Sequence, residues 1–227
     1  MVSLVVEQIS PKDLAGVRFL HRPQMEDINK KELKMNPEFE IVYQGNIFEV
    51  VRWEGKPGVM FEAAVRSPGV RLLIECEKNN KKALLMTKEI RREAGGWDYR
   101  LPGGKVFDSL EELNKSRKEN INISEKALET AKKEGREEAG LLEGDFSEIG
   151  ISKSGSSVEW DLYYYLVKNS KIGDQELEEN EQGDIEQIIL SAEEIFEKLK
   201  NGEIQEGRSA DMIWSWLTKN NFIKFSE

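Results

Sequence analysis

The eleven residues "AKKEGREEAGL", 131–141, hold Glu134, Glu137 and Glu138 at spacings of three and four and close on Gly140. On a helix those spacings place the three carboxylates side by side on one face. In water such crowding only costs roughly a few tenths of a kcal/mol per pair. Around a hard divalent cation the same oxygens become ligands, because Mg²⁺ takes a few carboxylates while keeping water and substrate phosphate oxygens. A plainer reading also fits: a solvated helix whose Lys132, Lys133 and Arg136 offset its glutamates. Upstream, "RLPGGKV" supplies Gly103-Gly104, a turn where missing side chains let backbone carbonyls or amides approach a metal or a phosphate.

These residues need elements to carry them. Ser124 is a candidate N-cap and Gly140 a candidate C′ residue, so the spacing predicts a helix over 125–139. Leu128, Ala131, Gly135 and Ala139 would form its narrow packing stripe. Short β-rich runs come first: "FEIVYQG", "IFEVVRWEG", "VMFEAAVRS", "VRLLIECE" and "KALLMTKEI", separated by turn signals such as Gln44-Gly45 and Asn79-Asn80. A first helix is expected near 109–118, strands near 147–152, 159–168 and 184–190, and helices near 192–200 and 209–219. Strands interleaved with a few helices, without a regular βαβ repeat, indicate a mixed α/β or α+β sandwich.

Composition narrows the partners. Thirty-three Lys and Arg against 43 Asp and Glu give a net charge of −10, which disfavours nucleic acid and anionic membrane as partners. A single cysteine, Cys76, excludes an internal disulfide framework and suits a small core residue. With no long apolar run and no cleavable signal pattern at the start, a cytoplasmic location is expected. His21 has no matched metal partner, and Trp214 and Trp216 are assigned to packing or an interface.

From 125 to 141 the sequence resembles the Nudix hydrolase signature, G-x5-E-x7-R-E-U-x-E-E-x-G-U, where U is apolar. Glu125 fits the first glutamate, Lys133 the arginine place, Glu134 the next glutamate, Gly135 the first U, Glu137 and Glu138 the pair, Gly140 the glycine and Leu141 the last U. Lys133 keeps the charge of an arginine but loses its bidentate fork. Gly135 replaces an apolar helix former at about 1 kcal/mol relative to alanine. The signature's glycine falls on Glu119, whereas Gly104 fits the family's loop, so some fifteen residues within "FDSLEELNKSRKENINIS" are inserted between loop and helix. From "FEVVRWEG" to "GEIQEGRS", about residues 40–215, the order of motifs further resembles the ADP-ribose pyrophosphatase branch.

The resemblance implies a Nudix fold with an N-terminal β-rich extension. It divides the chain into 1–55, an extension with strands that could serve dimerisation, and 56–227, the hydrolase domain with its insertion near 108–123. It implies Mg²⁺, with Mn²⁺ as the alternative, and hydrolysis of ADP-ribose or a related nucleoside diphosphate-linked small molecule. A bound cation would polarise a phosphoryl oxygen and lower the pKa of its water. A non-catalytic nucleotide sensor is the rival reading.

Glu134, Glu137, Glu138 and the Gly103 carbonyl become metal-ligand candidates, with Lys133 and Glu125 orienting them. Glu179 or Glu181 in the acidic loop becomes the candidate base. Arg91 and Arg92 could hold phosphate, Trp97 could flank the pocket beside Gly103 and Gly104, and Glu159 could contact metal or water. The branch also implies a homodimer.

Overall fold

A computed structural model describes residues 39–177, 179 and 182–223. In chain order the elements are β1 (Glu40–Gln44), β2 (Phe48–Lys56), β3 (Val59–Arg66), β4 (Gly69–Lys78), β5 (Lys81–Arg91), β6 (Gly96–Arg100), α1 (Leu110–Lys118), α2 (Ile123–Ala139), β7 (Leu141–Ser152), β8 (Val158–Glu159), β9 (Leu162–Ile172), β10 (Ile185–Ser191), α3 (Ala192–Lys200) and α4 (Gly207–Lys219). The expected mixed sandwich is present. His21 and Glu181 lie outside the described residues.

Six strands form the central sheet, in the order β10-β5-β4-β9-β7 with β6 beside β5; β4 and β9 run parallel. Alternation along the strands divides its side chains between two cores. Leu72, Ile74 and Leu85 face one core with Ala127 and Ala131 of α2 and Leu113 of α1. Leu73, Leu84 and Met86 face the other with Ile195 of α3 and Ile213 and Leu217 of α4. A second sheet, β1-β2-β3-β8, closes the first core with Val51, Ala63 and Val65. Trp216 is buried and its Nε1 donates to Glu75 at 2.8 Å, a packing role as expected. Cys76 packs against the first core, and burial pushes its thiol up to about 11, far from a reactive thiolate.

Three details correct the sequence reading. Gly96–Arg100 forms β6, a strand that the neighbouring glycines concealed. Helix α2 starts at Ile123: Asn122, not Ser124, is its N-cap, accepting from the Ser124 amide at 3.1 Å. Glu125 sits three residues on and accepts from the Asn122 side chain at 2.9 Å, so it serves the cap and is exposed there. Leu128 is only half-buried, and Ala127 takes its place in the packing stripe beside Ala131, Gly135 and Ala139. Gly140 ends the helix in the left-handed conformation, φ 57°, as expected. Among the described residues no helix is long and apolar enough to cross a membrane.

Candidate functional site

The turn before the insertion is fixed to β4 like a short extra strand. Leu72 donates to Pro102 O and Val70 to Gly104 O, both at 2.9 Å, and Gly69 bridges Lys105. Gly103 has φ 147°, and a Cβ there would come within 2.1 Å of the Val70 carbonyl oxygen, so only glycine fits. A Cβ on Gly104 would come within 2.1 Å of Glu134 Oε1: the carboxylate of α2 rests where that side chain would be. The Gly103 amide donates to Glu138 Oε2 at 2.7 Å. Turn and helix therefore meet through Glu134 and Glu138.

Glu138 is 6% exposed. Burial first, then the charges of Glu89 and Glu134, push its carboxyl up to about 8, although the Gly103 amide and Arg71 pull the other way. The surrounding charge is net negative. Glu137 stands at the rim, 3.3 Å from Lys133 Nζ. Partial burial opposes the Lys133 charge, but Glu137, Glu134 and Asp108 outweigh it and hold the ammonium above the usual lysine value. The lysine in the arginine place thus tethers a carboxylate. Among the described residues no three Asp, Glu, His or Cys side chains converge as a finished coordination shell. What is in place is a buried carboxylate raised by like charges, which suits a hard cation with water completing its shell. The Gly103 carbonyl accepts from Arg71 Nη1 at 2.9 Å, which leaves its second lone pair for such an ion.

The other candidates divide between places. Arg91 ends β5 and pairs with Glu89. Arg92 is exposed in the turn that follows, where its carbonyl accepts from Gly95. Trp97 is placed opposite Ile90, and Lys88 Nζ lies 4.3 Å from its ring centroid; strand alternation therefore turns it to the other side of the sheet from Glu89 and Arg91. Glu159 pairs with Arg117 of α1 at 3.4 Å. Glu179 is exposed in the acidic loop. The start of that loop is tied to α2: Glu176 donates to Glu137 O at 2.9 Å and Gln175 Nε2 to Glu138 O at 2.6 Å. Beside it a cleft of about 570 Å³ opens among Lys132, Lys133, Arg136, Glu137 and Leu142.

Sequence reasoning missed two sets of residues. Glu89, 3% exposed, faces Glu138, and its place two residues before Arg91 on one strand was the available signal. Arg66 and Arg208 both lie over the Trp160 ring, at 4.2 and 4.1 Å from its centroid. Burial first, then repulsion from Arg71 and Arg208, lowers the Arg66 pKa, and among the described residues Arg66 has no acidic partner. Three distant stretches of chain build that cluster, so no local pattern announced it.

No curated protein matches this chain. The family model for the NUDIX domain matches residues 66–210, a span that begins at the last residue of β3, includes the glycine turn and all of α2, and covers more than half of the chain. By that match the chain belongs to the Nudix family, whose members hydrolyse nucleoside diphosphate derivatives and generally use divalent cations such as Mg²⁺.

Proposed function

We propose that this Nudix hydrolase cleaves the pyrophosphate linkage of ADP-ribose or a closely related nucleoside diphosphate sugar, giving a nucleoside monophosphate and a sugar phosphate. The observation that carries the chemistry is Glu138, a buried carboxylate facing Glu89 and Glu134 beside the Gly103–Gly104 turn. Glu134 and Glu138, with Glu137 at the rim, would hold Mg²⁺ or Mn²⁺, and the second lone pair of the Gly103 carbonyl can join them. The bound ion supplies Lewis acidity toward a phosphoryl oxygen and a more acidic water.

The chain's own groups do the rest. Arg91 and Arg66 present guanidinium donors to phosphate oxygens. Lys133 holds Glu137 at the rim by its ion pair. The acidic loop leaves from its anchor on the Glu137 and Glu138 backbone and carries Glu179, with Glu181 beyond it, to deprotonate or position the attacking water. The substrate class rests on the order of motifs across residues 40–215. Pairing of two copies through β1–β3 is supported by the exposed apolar residues Ile41, Tyr43, Phe48, Met60 and Phe61 on those strands.

The test is product analysis with Mg²⁺ and a panel of ADP-ribose, sugar nucleotides, dinucleotides and nucleoside triphosphates. Metal-dependent AMP and ribose phosphate from ADP-ribose, lost in Glu138→Gln, is the expected result. Cleavage of another panel member overturns the substrate and keeps the chemistry. Binding without turnover makes the protein a sensor.

A further inference from the structure

Thr87, Glu89 and Arg91 alternate on β5 and so share one face of the sheet. Glu89 is 3% exposed and accepts from the Thr87 hydroxyl at 2.5 Å through Oε1, while its Oε2 pairs with Arg91 Nη2. Directly across the ladder stands Asp98, which is fully buried and has its own donors, Arg100 Nε at 2.8 Å and the Gln205 amide at 3.1 Å. Both oxygens of Glu89 are therefore committed within β5, and among the described residues its only ion pair is with Arg91. Arg91 is half-exposed, 39% at its side chain, and its Nε is buried without an acceptor among the described residues.

A carboxylate is costly to bury, and this one sits close enough to Glu138 to raise it. Its position ties one end of the Arg91 fork to the strand and leaves Nε and Nη1 for other acceptors. We infer that Glu89 is a positioning residue: it fixes the Arg91 guanidinium in the orientation that grips a substrate phosphate next to the cation site. The inference rests on the reading of Arg91 as a phosphate ligand. An untethered arginine would have to lose its rotamer freedom on binding; one clamped by a buried carboxylate has lost it on folding.

The test is a double-mutant cycle on the full chain with Mg²⁺, using wild type, Glu89→Gln, Arg91→Ala and the double variant. Each is assayed on the panel member that wild type hydrolyses fastest and titrated calorimetrically with ADP-ribose. Glu89→Gln should raise KM roughly 10-fold with kcat within about twofold, and should add nothing in the Arg91→Ala background. An undiminished effect in that background, or a shift in the Mg²⁺ concentration for half-activity in place of KM, means Glu89 acts on the cation site and overturns the inference. If Arg91→Ala raises KM and Glu89→Gln does not, the inference falls and the reading of Arg91 stands. If Arg91→Ala leaves both KM and ADP-ribose affinity unchanged, both fall. Should Glu89→Gln not fold, Glu89→Asp keeps the charge while shortening its reach, and the same cycle applies with a smaller KM change.

Discussion

Two carboxylates are taken out of water on opposite sides of the first core, and their surroundings differ in sign. Glu49 of β2 is fully buried; it accepts from Asn114 at 3.1 Å and lies within electrostatic reach of Arg117, both on α1. Burial lowers the Arg117 pKa, while Glu159 and Glu49 pull it back up. Glu138 is nearly as buried, but its neighbours include the like charges of Glu89 and Glu134. Beside Glu49 stands a cation, Arg117, and α1 is joined through it to β2 and β8. Beside Glu138 the largest charge effect comes from another carboxylate, Glu89. A buried carboxylate near a cation joins parts of the fold; one pressed by like charges is the candidate cation site.

The strongest way to break the comparison is to neutralise each side in turn. Glu138→Gln is expected to lower kcat/KM about 100- to 1000-fold at saturating Mg²⁺, equivalent to the several kcal/mol that metal-centred charge stabilisation supplies. Its metal-free thermal stability should not fall, because a carboxyl repelled by its neighbours is being replaced by a neutral amide. A destabilised variant with full activity would show that Glu138 belongs with Glu49 as a structural group.

Next in size is the pH dependence of the metal-free protein. The folded Glu138 carboxyl, at about 8, lies above its ordinary value of 4.5, so folding favours the protonated form. This contribution is whole below about pH 4.5 and is lost as pH rises through about 8, a change on the order of a few kcal/mol. Urea denaturation in EDTA, wild type minus Glu138→Gln, isolates it from other carboxylates such as Glu194 and Glu206, whose pKa values are lowered and whose contributions run the other way. Mg²⁺ should flatten the difference by binding the ionised form. A pH-independent difference in EDTA would contradict the crowding.

On the Glu49 side, Arg117→Ala should destabilise by about 2 kcal/mol, below the usual loss for breaking a fully buried pair because Arg117 is a quarter exposed. Activity per folded molecule should stay within about twofold. A loss of turnover without a loss of stability would make the α1 anchor part of the site.

Most of the elements were legible in the sequence because their signals are local. Ser191 with Glu194, and Gly140 after Ala139, mark helix ends by side chain and backbone chemistry that needs no partner. The spacing of Glu134, Glu137 and Glu138 was likewise local, since a helix guarantees which residues are neighbours. Glu89 was not legible as a neighbour of Glu138: the two are 49 positions apart in sequence (138 − 89), and only the packing of α2 beside β5 brings their charges together. Trp97 shows the converse. Its closeness to the glycine turn in sequence suggested the pocket, but one step of strand alternation sends it to the other side of the sheet. The insertion read between Gly104 and Glu125 contains α1, whose role depends on Glu49 and Glu159, residues far from it in the chain.

The smallest effect is expected at Gly135, where the signature has an apolar residue. A Cβ there would meet Leu72 Cδ1 and Leu141 Cδ2 at 3.2 Å, tighter than ordinary contact, yet both are ends of flexible side chains. Gly135→Ala gains about 1 kcal/mol of helix propensity and loses part of it to crowding between α2 and β4. The net change should fall within about 0.5 kcal/mol of zero, read from the denaturation midpoint at constant slope. Activity is the more discriminating readout. If the crowding were relieved by tilting α2 away from β4, Glu134 would leave Gly104 and Glu138 would leave the Gly103 amide, so kcat would drop while stability held. Unchanged kcat is expected, because the turn is fastened to β4 by its own hydrogen bonds and two leucine tips can give way before a helix does.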